Sequence, residues 1–411
     1  MHSAVFSRLL TAWGVSLFGD GVRLVALPLV AALLTGDPLA VTAVAAAELV
    51  PWLLFSLPSG ALVDRSDARR ALVVAHLCRA ALTAVLVGAL LTGRASVAVL
   101  ATLALLLTVA ETVADAAAQV LLVAVAGSDD LLVANARVRT VESVTFNLGG
   151  PLVGGALVAL QPALAFAVDG VTFLVAAAVV LTLPSSAGWS PVPETGPVAA
   201  ATLFASVREG VRTLWAVPGL RLLVSVTAWT SLATGAVNAI TTLFALQVLA
   251  LPVAAVPVLV VVEALGLLLG SRVVQLVAAR RTDGSVMAIA LLLVGGAYLV
   301  IGLVPVTAVV LVCYLLNGLG FAWWNVLASA RRQHLTPVGL LGRVSNASRA
   351  ISWGAMPLGA VAGGVLATVT SLQQVYVVGG GVVLVVALLA RRALVASGLP
   401  TRPADGSAPV G

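Results

Sequence analysis

Charged side chains are rare inside the long apolar stretches of this sequence, and the few that occur there are the first candidates for chemistry. An ionisable group in apolar surroundings is costly, so it is usually retained for a function. Asp20 and Arg23 are three residues apart, a spacing that places both side chains on one face of a helix. The candidates for a proton-binding or substrate-binding cavity are Asp20, Arg23, Glu48, Glu111, Asp115, Glu142 and Glu263.

Two roles are open for the pairs Asp20–Arg23 and Glu111–Asp115. A buried carboxyl group can bind and release a proton, because burial favours the neutral acid while a nearby arginine favours the carboxylate. Alternatively, a buried acid and base form a fixed ion pair that only holds helices together. The sequence leaves both roles open for these two pairs.

Other polar residues have simpler interpretations. Arg139 lies three residues before Glu142, which favours an ion pair at that position. Asp169, in the outer third of the sixth apolar stretch, is interpreted as structural. The cysteines and histidines have no spacing typical of a metal site, so we expect no metal and no cofactor; these residues are Cys78, Cys313, His2, His76 and His334.

The elements that must position these residues are membrane-spanning helices. The chain has 411 residues, of which 61% are hydrophobic and 9% charged, whereas soluble domains are about 25% charged. Apolar runs such as Leu152–Leu160 do not alternate with polar residues, which excludes a membrane β-barrel. We predict an all-α membrane protein with twelve transmembrane helices, of which the fourth spans Val97–Val125 and the fifth spans Val138–Leu160.

The spans divide into two groups of six. We predict an N-terminal six-helix bundle over residues 1–183 and a C-terminal six-helix bundle over residues 219–392. Residues 184–218 form a cytoplasmic linker, and residues 393–411 a disordered cytoplasmic tail. The end of the linker has apolar residues at helical spacing, which predicts an amphipathic helix on the membrane face; these residues are Phe204, Val207, Val211, Leu214 and Trp215.

Arginine placement predicts the orientation. All 22 basic residues are arginines, and basic residues collect on the cytoplasmic side of a membrane protein. With the N-terminus inside, the outer connections hold only Arg94. We therefore expect a multi-pass protein of the cell (inner) membrane with both termini in the cytoplasm. The net charge of +6 then faces anionic lipid headgroups, and no nucleic acid is needed to explain it.

The two groups of spans repeat faintly. Matched positions lie about 206–211 residues apart and keep their order along the chain. The matches are Arg69–Arg70 with Arg280–Arg281, Asp115 with Asn325, Arg137 with Arg343, and Pro151 with Pro357. Two parallel six-helix repeats, with a substrate cavity at their interface, are an arrangement used by secondary transporters.

A loop motif follows the second span, with the residues Gly60, Asp64, Arg65, Arg69 and Arg70 at fixed spacing. It resembles the loop signature of the major facilitator superfamily of membrane transporters. The resemblance implies a gating loop, in which Gly60 allows close helix approach. Asp64 would face the positive N-terminal end of a helix of the other half, near Val344, and the arginines would bind lipid headgroups.

A second motif in the fifth span contains Gly150, Pro151, Gly154 and Gly155. It resembles a signature associated with exporters of the same superfamily. Proline removes a backbone hydrogen bond and kinks a helix, and glycines allow tight helix packing. Several short segments resemble the macrolide-efflux and enterobactin-exporter branch: Gly19-Asp20-Gly21, Ala26-Leu27-Pro28-Leu29, Pro51-Trp52-Leu53-Leu54-Phe55, Ala110-Glu111-Thr112 and Phe166-Ala167-Val168-Asp169.

This branch implies proton-coupled efflux of lipophilic small molecules, such as a drug, an antibiotic or a siderophore, by a multidrug-resistance antiporter that is a monomer. An importer or facilitator of a small metabolite on the same fold is the first alternative. A non-transporting sensor or an intramembrane enzyme is the second, although the sequence shows no nucleophile paired with a base. Candidates for aromatic cavity walls are Trp13, Trp52, Trp229, Trp323 and Trp324.

Overall fold

The computed structural model describes residues 3–184, 200–337 and 340–396, and every regular element in these ranges is helical. Twelve segments are long and apolar enough to cross a membrane, which confirms the predicted fold class. The α-helices are α1 (Ser3–Leu34), α2 (Pro38–Asp64), α3 (Ala68–Leu91), α4 (Val97–Val144), α5 (Gly150–Leu160), α6 (Pro162–Leu181), α7 (Ala200–Ala216), α8 (Pro218–Gln247), α9 (Pro257–Ala278), α10 (Asp283–Leu303), α11 (Thr307–Leu335), α12 (Leu341–Val369) and α13 (Leu372–Ala396).

Helix α4 is longer than the sequence predicts. It runs from Val97 to Val144, so it includes the polar stretch that follows the fourth predicted span. Residues 126–150 contain no proline, and polar residues alone do not stop a helix whose backbone bonds are all internal. The fourth and fifth spans, Val97–Ala126 and Val133–Leu160, are therefore connected by helix.

The fifth span contains a change of helix type. A π-helical turn occupies Thr145–Gly149, directly before α5. Pro151 follows in the first turn of α5, where its missing N–H cannot bond to the preceding turn. Single π-helical turns inside α-helices occur frequently at functional sites. The kink expected at Pro151 thus coincides with a local change in helix geometry.

The chain forms two compact units, which are described separately. Unit 1 consists of residues 1–198, 234–261 and 353–375. One core of this unit is built mainly from side chains of α1, α3, α4 and α6, which include Phe6, Leu9, Leu72, Leu121 and Val180.

Later parts of the chain complete unit 1. Ala46 of α2 packs with Ala239 of α8 and Ala360 of α12. A Cβ atom added at Gly155 of α5 would overlap the ring of Pro257, at the start of α9.

Unit 2 consists of residues 199–233, 262–352 and 376–411. Helix α7 packs here through Leu214, which shares a small core with Val344 and Ala347 of α12. Glu209 of α7 forms an ion pair with Arg343. Arg208 and Arg212 are exposed.

The amphipathic helix predicted in the linker is therefore present from residue 208 onward. The side chains of 200–207, including Phe204 and Val207, lie outside the described residues, as does the linker segment 185–199. Helix α13 extends to Ala396, four residues beyond the predicted end of the bundle, so Ala393–Ala396 are helical rather than disordered. The rest of the predicted tail, 397–411, also lies outside the described residues.

Candidate functional site

Six ionisable side chains from five helices of unit 1 meet in its interior, and we call this group the charged cluster. All of them are at least four-fifths buried, with exposures between 0% and 19%. Its members are Asp20 and Arg23 of α1, Glu48 of α2, Arg79 of α3, Glu111 of α4 and Asp169 of α6.

Glycines bring α1 close enough to its neighbours to place Asp20 in the cluster. A Cβ atom added at Gly21 would lie 2.7 Å from the carbonyl oxygen of Phe146, and one added at Gly19 would overlap Thr172 of α6. Only a residue without a side chain permits such backbone approach. The segment Gly19-Asp20-Gly21 therefore holds α1 between the π-helical turn and α6, and Asp20 between these glycines is 4% exposed.

Arg23 is the central residue of the charged cluster. Its guanidinium donates hydrogen bonds to Asp20 at 3.2 Å, to Glu48 at 3.3 Å and also to Glu111. Its Nε lies 3.9 Å from Oδ2 of Asp169. Arg23 thus contacts all four acids, which satisfies the requirement that a buried charge be paired.

Arg79 supplies the second positive charge. It donates a hydrogen bond to Asp20 and lies 3.6 Å from Glu111. Its guanidinium carbon is 3.9 Å from the ring centroid of Phe173, a cation–π geometry. The imidazole of His76, one helical turn earlier, stacks on the same ring at 6.1 Å. Arg79 therefore has both ionic and aromatic partners.

The charges in the cluster do not balance. Four carboxyl groups face two guanidinium groups, so the fully ionised cluster would have a net charge of −2. An uncompensated charge away from water is strongly unfavourable. The surplus carboxyl groups can therefore bind protons, or one or two other cations.

The structure brings together four of the seven sequence candidates: Asp20, Arg23, Glu48 and Glu111. The other three lie elsewhere. Asp115 is exposed one turn beyond Glu111 on α4. Glu142 accepts a hydrogen bond from Arg139 at 2.7 Å, the ion pair that the spacing predicts. Glu263, in unit 2, accepts a hydrogen bond from Asn317 at 2.9 Å.

Sequence reasoning missed two members of the cluster. Arg79 is the eighth residue of the third predicted span, Leu72–Leu91, and its charge inside an apolar stretch would have selected it. Asp169 was interpreted as structural, yet it is completely buried within ion-pair range of Arg23. The sequence feature that could have identified Asp169 is its charge inside an apolar span. Local spacing does not predict which helices pack around this residue.

The loop motif stabilises the ends of two helices in unit 1, α3 and α6. Asp67 caps α3 by accepting a hydrogen bond from the backbone N–H of Arg70 at 3.1 Å. Arg69 donates from Nε to the carbonyl oxygen of Val180 at 3.1 Å, so it satisfies the open end of α6. Asp64 is exposed and, among the described residues, has no hydrogen bond or ion pair.

The expected role of Gly60 in close helix approach stays a prediction. In this structure a Cβ atom added there would meet no described atom within 4 Å. The gating role of Asp64, Arg65, Arg69 and Arg70 stays a prediction.

The second motif packs as expected. Added Cβ atoms at Gly150 and Gly154 would lie 2.6 Å from Gly21 and 2.7 Å from the carbonyl oxygen of Val22. The motif therefore fixes α5 against the stretch of α1 that carries Asp20 and Arg23.

An open groove of about 400 Å³ runs beside α1 in unit 1. It is lined mainly by apolar side chains, among them Leu10, Val15, Phe18 and Val141. Of the aromatic candidates, Trp323 and Trp324 are buried, so they offer little surface to a ligand in this structure. Trp52 lies 6.0 Å from Trp353 between ring centroids. Trp13 and Trp229 are half-buried and exposed, respectively.

The described residues contain twelve apolar helices long enough to cross a membrane, and solved structures of membrane transporters share this fold. A mutant form of the nucleoside transporter NupG superposes with a TM-score of 0.76 at 13% identity, over 95% of this chain and 99% of that chain. A bacterial homologue of the iron transporter ferroportin gives 0.75 at 17% identity, over 96% and 99%. A bacterial homologue of the lysosomal transporter Spinster gives 0.68 at 15%, over 96% and 95%.

The family can also be assigned. Residues 1–404 match the sequence model described as transmembrane secretion effector. The chain belongs to this family of major facilitator transporters. No curated protein sequence matches the chain.

Proposed function

We propose that the protein exports lipophilic small molecules in exchange for protons, by alternating access. The observation that carries this proposal is the charged cluster, with four acids around two arginines in the interior of unit 1. A cluster with surplus carboxyl groups binds protons or cations. A transporter that couples proton binding to substrate movement can use the proton gradient to drive export.

The direction of transport rests on three observations. The family is described by secretion, the Gly150–Gly155 motif resembles an exporter signature, and that motif packs on the charged cluster's own helix. A lipophilic substrate is supported by the apolar groove beside α1. We also propose that both termini face the cytoplasm of the inner membrane and that the protein acts as a monomer.

Two glutamates give the cluster access to its surroundings. Glu48 and Glu111 are 18% and 19% exposed, whereas Asp20 and Asp169 are at most 4% exposed. A proton that enters from the open side therefore reaches a glutamate first. Protonation there weakens that acid's attraction for Arg23, which is then freer to favour its other partners. The four acids lie on four different helices. A change in which acids Arg23 contacts therefore couples protonation to the positions of these helices.

Import of a small metabolite on the same fold is the alternative, because the fold serves both directions. Transport in inverted membrane vesicles, with a panel of lipophilic antibiotics and siderophores, separates the two. We expect accumulation that depends on a proton gradient and disappears with a protonophore. Accumulation only in right-side-out vesicles would establish import, and accumulation unaffected by the protonophore would remove proton coupling.

The matched control for these assays is Asp37→Asn. Asp37 is exposed and caps α2 through a hydrogen bond from the backbone N–H of Leu39 at 3.0 Å. Asparagine caps helices about as well as aspartate. The variant removes one carboxylate far from the charged cluster, so we expect transport equal to that of the unaltered protein.

A further inference from the structure

The four acids of the charged cluster share the two arginines unequally. Asp20 is hydrogen-bonded to both Arg23 and Arg79, and Glu111 lies within ion-pair distance of both. These two acids neutralise the two arginines. Glu48 contacts Arg23 alone, and Asp169 is left with a single contact of 3.9 Å that is too long for a hydrogen bond.

Asp169 is the most enclosed acid of the cluster. Its side chain is 0% exposed, and neither of its carboxyl oxygens has a hydrogen-bond partner among the described residues. The Nε of Arg23, which points toward it, is also without a hydrogen-bond acceptor. An ionised Asp169 would be expected to accept a hydrogen bond from this Nε, because burying a charge without partners is far more costly than burying a neutral acid.

The other charged groups around Asp169 do not replace that missing bond. Helix α1 presents Asp20 and Arg23, which already bind each other. Helix α3 presents His76, which stacks on Phe173, and Arg79, which is held by Asp20. Helix α5 contains no ionisable residue. Glu111 of α4 is within reach of Arg23 and Arg79.

We propose that Asp169 is a proton-binding residue of the transport cycle, that it is the neutral acid in this structure, and that Arg23 is the group that binds it when it ionises. This inference rests on the proposed proton coupling. On release, the O–H bond of Asp169 breaks and the proton passes to water on the side of the cluster that Glu48 and Glu111 open. The new carboxylate accepts a hydrogen bond from Nε of Arg23, and the hold of Arg23 on Glu48 weakens.

The test compares Asp169→Asn with Glu48→Gln and with the control Asp37→Asn, each as full-length protein in detergent without substrate. Infrared spectroscopy follows the carbonyl stretch of protonated carboxyl groups while the pH is raised. We expect the spectrum of the unaltered protein to contain a band that Asp169→Asn lacks and that both other variants keep. A spectrum of Asp169→Asn that retains every titrating band would overturn the assignment.

Stability gives a second readout. An amide replaces a neutral acid without leaving a charge unpaired, so the Tm of Asp169→Asn should equal that of the unaltered protein. If Asp169→Asn folds poorly and Arg23→Gln rescues it, Asp169 is an ionised partner of Arg23 and the proposal is wrong. A variant that does not fold at all counts against it in the same way.

Transport in proteoliposomes separates this inference from the proposed function. If the unaltered protein moves substrate without protons, the proposed coupling fails, while the infrared band still reports whether Asp169 holds a proton. If the unaltered protein is coupled, we expect Asp169→Asn to exchange substrate across the membrane but not to concentrate it. Gradient-driven accumulation by Asp169→Asn would refute the proposed role of Asp169 and leave the proposed proton coupling of the protein intact.

Discussion

At the scale of single residues, the charged cluster distinguishes acids that neutralise arginines from acids that are in surplus. Asp20 belongs to the first kind, because it binds Arg23 and Arg79 at once. Removing one member of a buried ion pair leaves the other charge unpaired, which costs roughly 3–5 kcal/mol. The sequence left two roles open for Asp20, a proton-binding group or a member of a fixed ion pair, and the variants that measure its contribution to stability also distinguish these roles.

We expect Asp20→Asn to lower the free energy of unfolding by about 3–5 kcal/mol, because it leaves Arg79 without its hydrogen-bonded carboxylate. Denaturant unfolding in detergent measures this, with Asp37→Asn as the control that changes little. The double variant Asp20→Asn/Arg79→Gln should recover most of the loss. If Asp20→Asn is as stable as the control, the ion pair contributes nothing to folding.

Transport by the double variant then assigns the role of Asp20. If Asp20 only neutralises arginines, recovered stability brings recovered gradient-driven export. If Asp20 carries the proton, the double variant folds and binds substrate but cannot concentrate it. Glu111→Gln is the comparison, because Glu111 is the other acid in contact with both arginines.

Local spacing predicted the part of the cluster that lies on one helix. The pair Asp20–Arg23 follows from a separation of three residues, and it is present. The bond between Arg79 and Asp20 joins residues 59 positions apart, and no helical period relates them. Distances between helices depend on packing, which a hydropathy pattern does not contain.

At the scale of elements, α1 is fixed by glycines on the helices that face it. Gly150 lies in the first turn of α5, where its missing side chain lets α5 approach Gly21. By contrast, Gly88 lies inside α3 and an added Cβ atom there would meet no described atom within 4 Å. Gly88 therefore serves as the control for Gly150, because a side chain added at Gly88 meets no neighbouring atom.

We expect Gly150→Ala to destabilise the protein by about 1–3 kcal/mol, because an added methyl group in a packed interface forces a backbone shift. Gly88→Ala should instead be neutral or stabilise by up to about 1 kcal/mol, since alanine has the higher helix propensity. The Tm values of both variants in detergent provide the measurement. Equal Tm values for the two would show that the α1–α5 contact adapts freely.

The length of α4 shows that the end of a helix is not always predictable from the sequence. Composition changes sharply after Ala126, and the fourth span was predicted to end at Val125. Polarity marks where a helix leaves the hydrocarbon layer, but it does not by itself end the helix. The π-helical turn at Thr145–Gly149 was not predicted either, because it has no composition that sets it apart from an α-helix.

At the scale of the whole molecule, the arginines predict an orientation that cysteine labelling can check. Cys78 and Cys313 are first replaced, and single cysteines are placed at Gln161, Gln373 or Ser66. Because basic residues remain on the cytoplasmic side, an impermeant reagent should label the first two from outside intact cells. Labelling of Ser66 from outside would reverse the orientation.

The gating loop is the second prediction at this scale. Asp64 is exposed at the end of α2, and the resemblance implies that it faces the N-terminal end of a helix in one state of the transport cycle. We expect Asp64→Asn to express normally, transport more slowly and expose the groove beside α1 for longer. Alkylation of a cysteine placed at Thr11, which lines that groove, reports the exposure. Unchanged transport would reduce the loop to a topological anchor.

The number of helices and their class were predictable because the bilayer imposes them. A spanning segment needs about 20 apolar residues with every backbone bond satisfied internally, so length and hydropathy suffice. The grouping of helices into packed units depends on shapes such as Gly155 against Pro257. These shapes are known only once the chain is assembled.

The composition of unit 1 has a consequence for biosynthesis. Its first segment ends at residue 198, but its last ends at residue 375, so the ribosome must add almost 180 further residues before the unit is complete. At about 5–20 residues per second, this takes roughly 9–35 s. During that time Ala46 and Gly155 have no contact with Ala360 and Pro257. A nascent chain released early would have the charged cluster's five helices without the segments 234–261 and 353–375 that complete the unit.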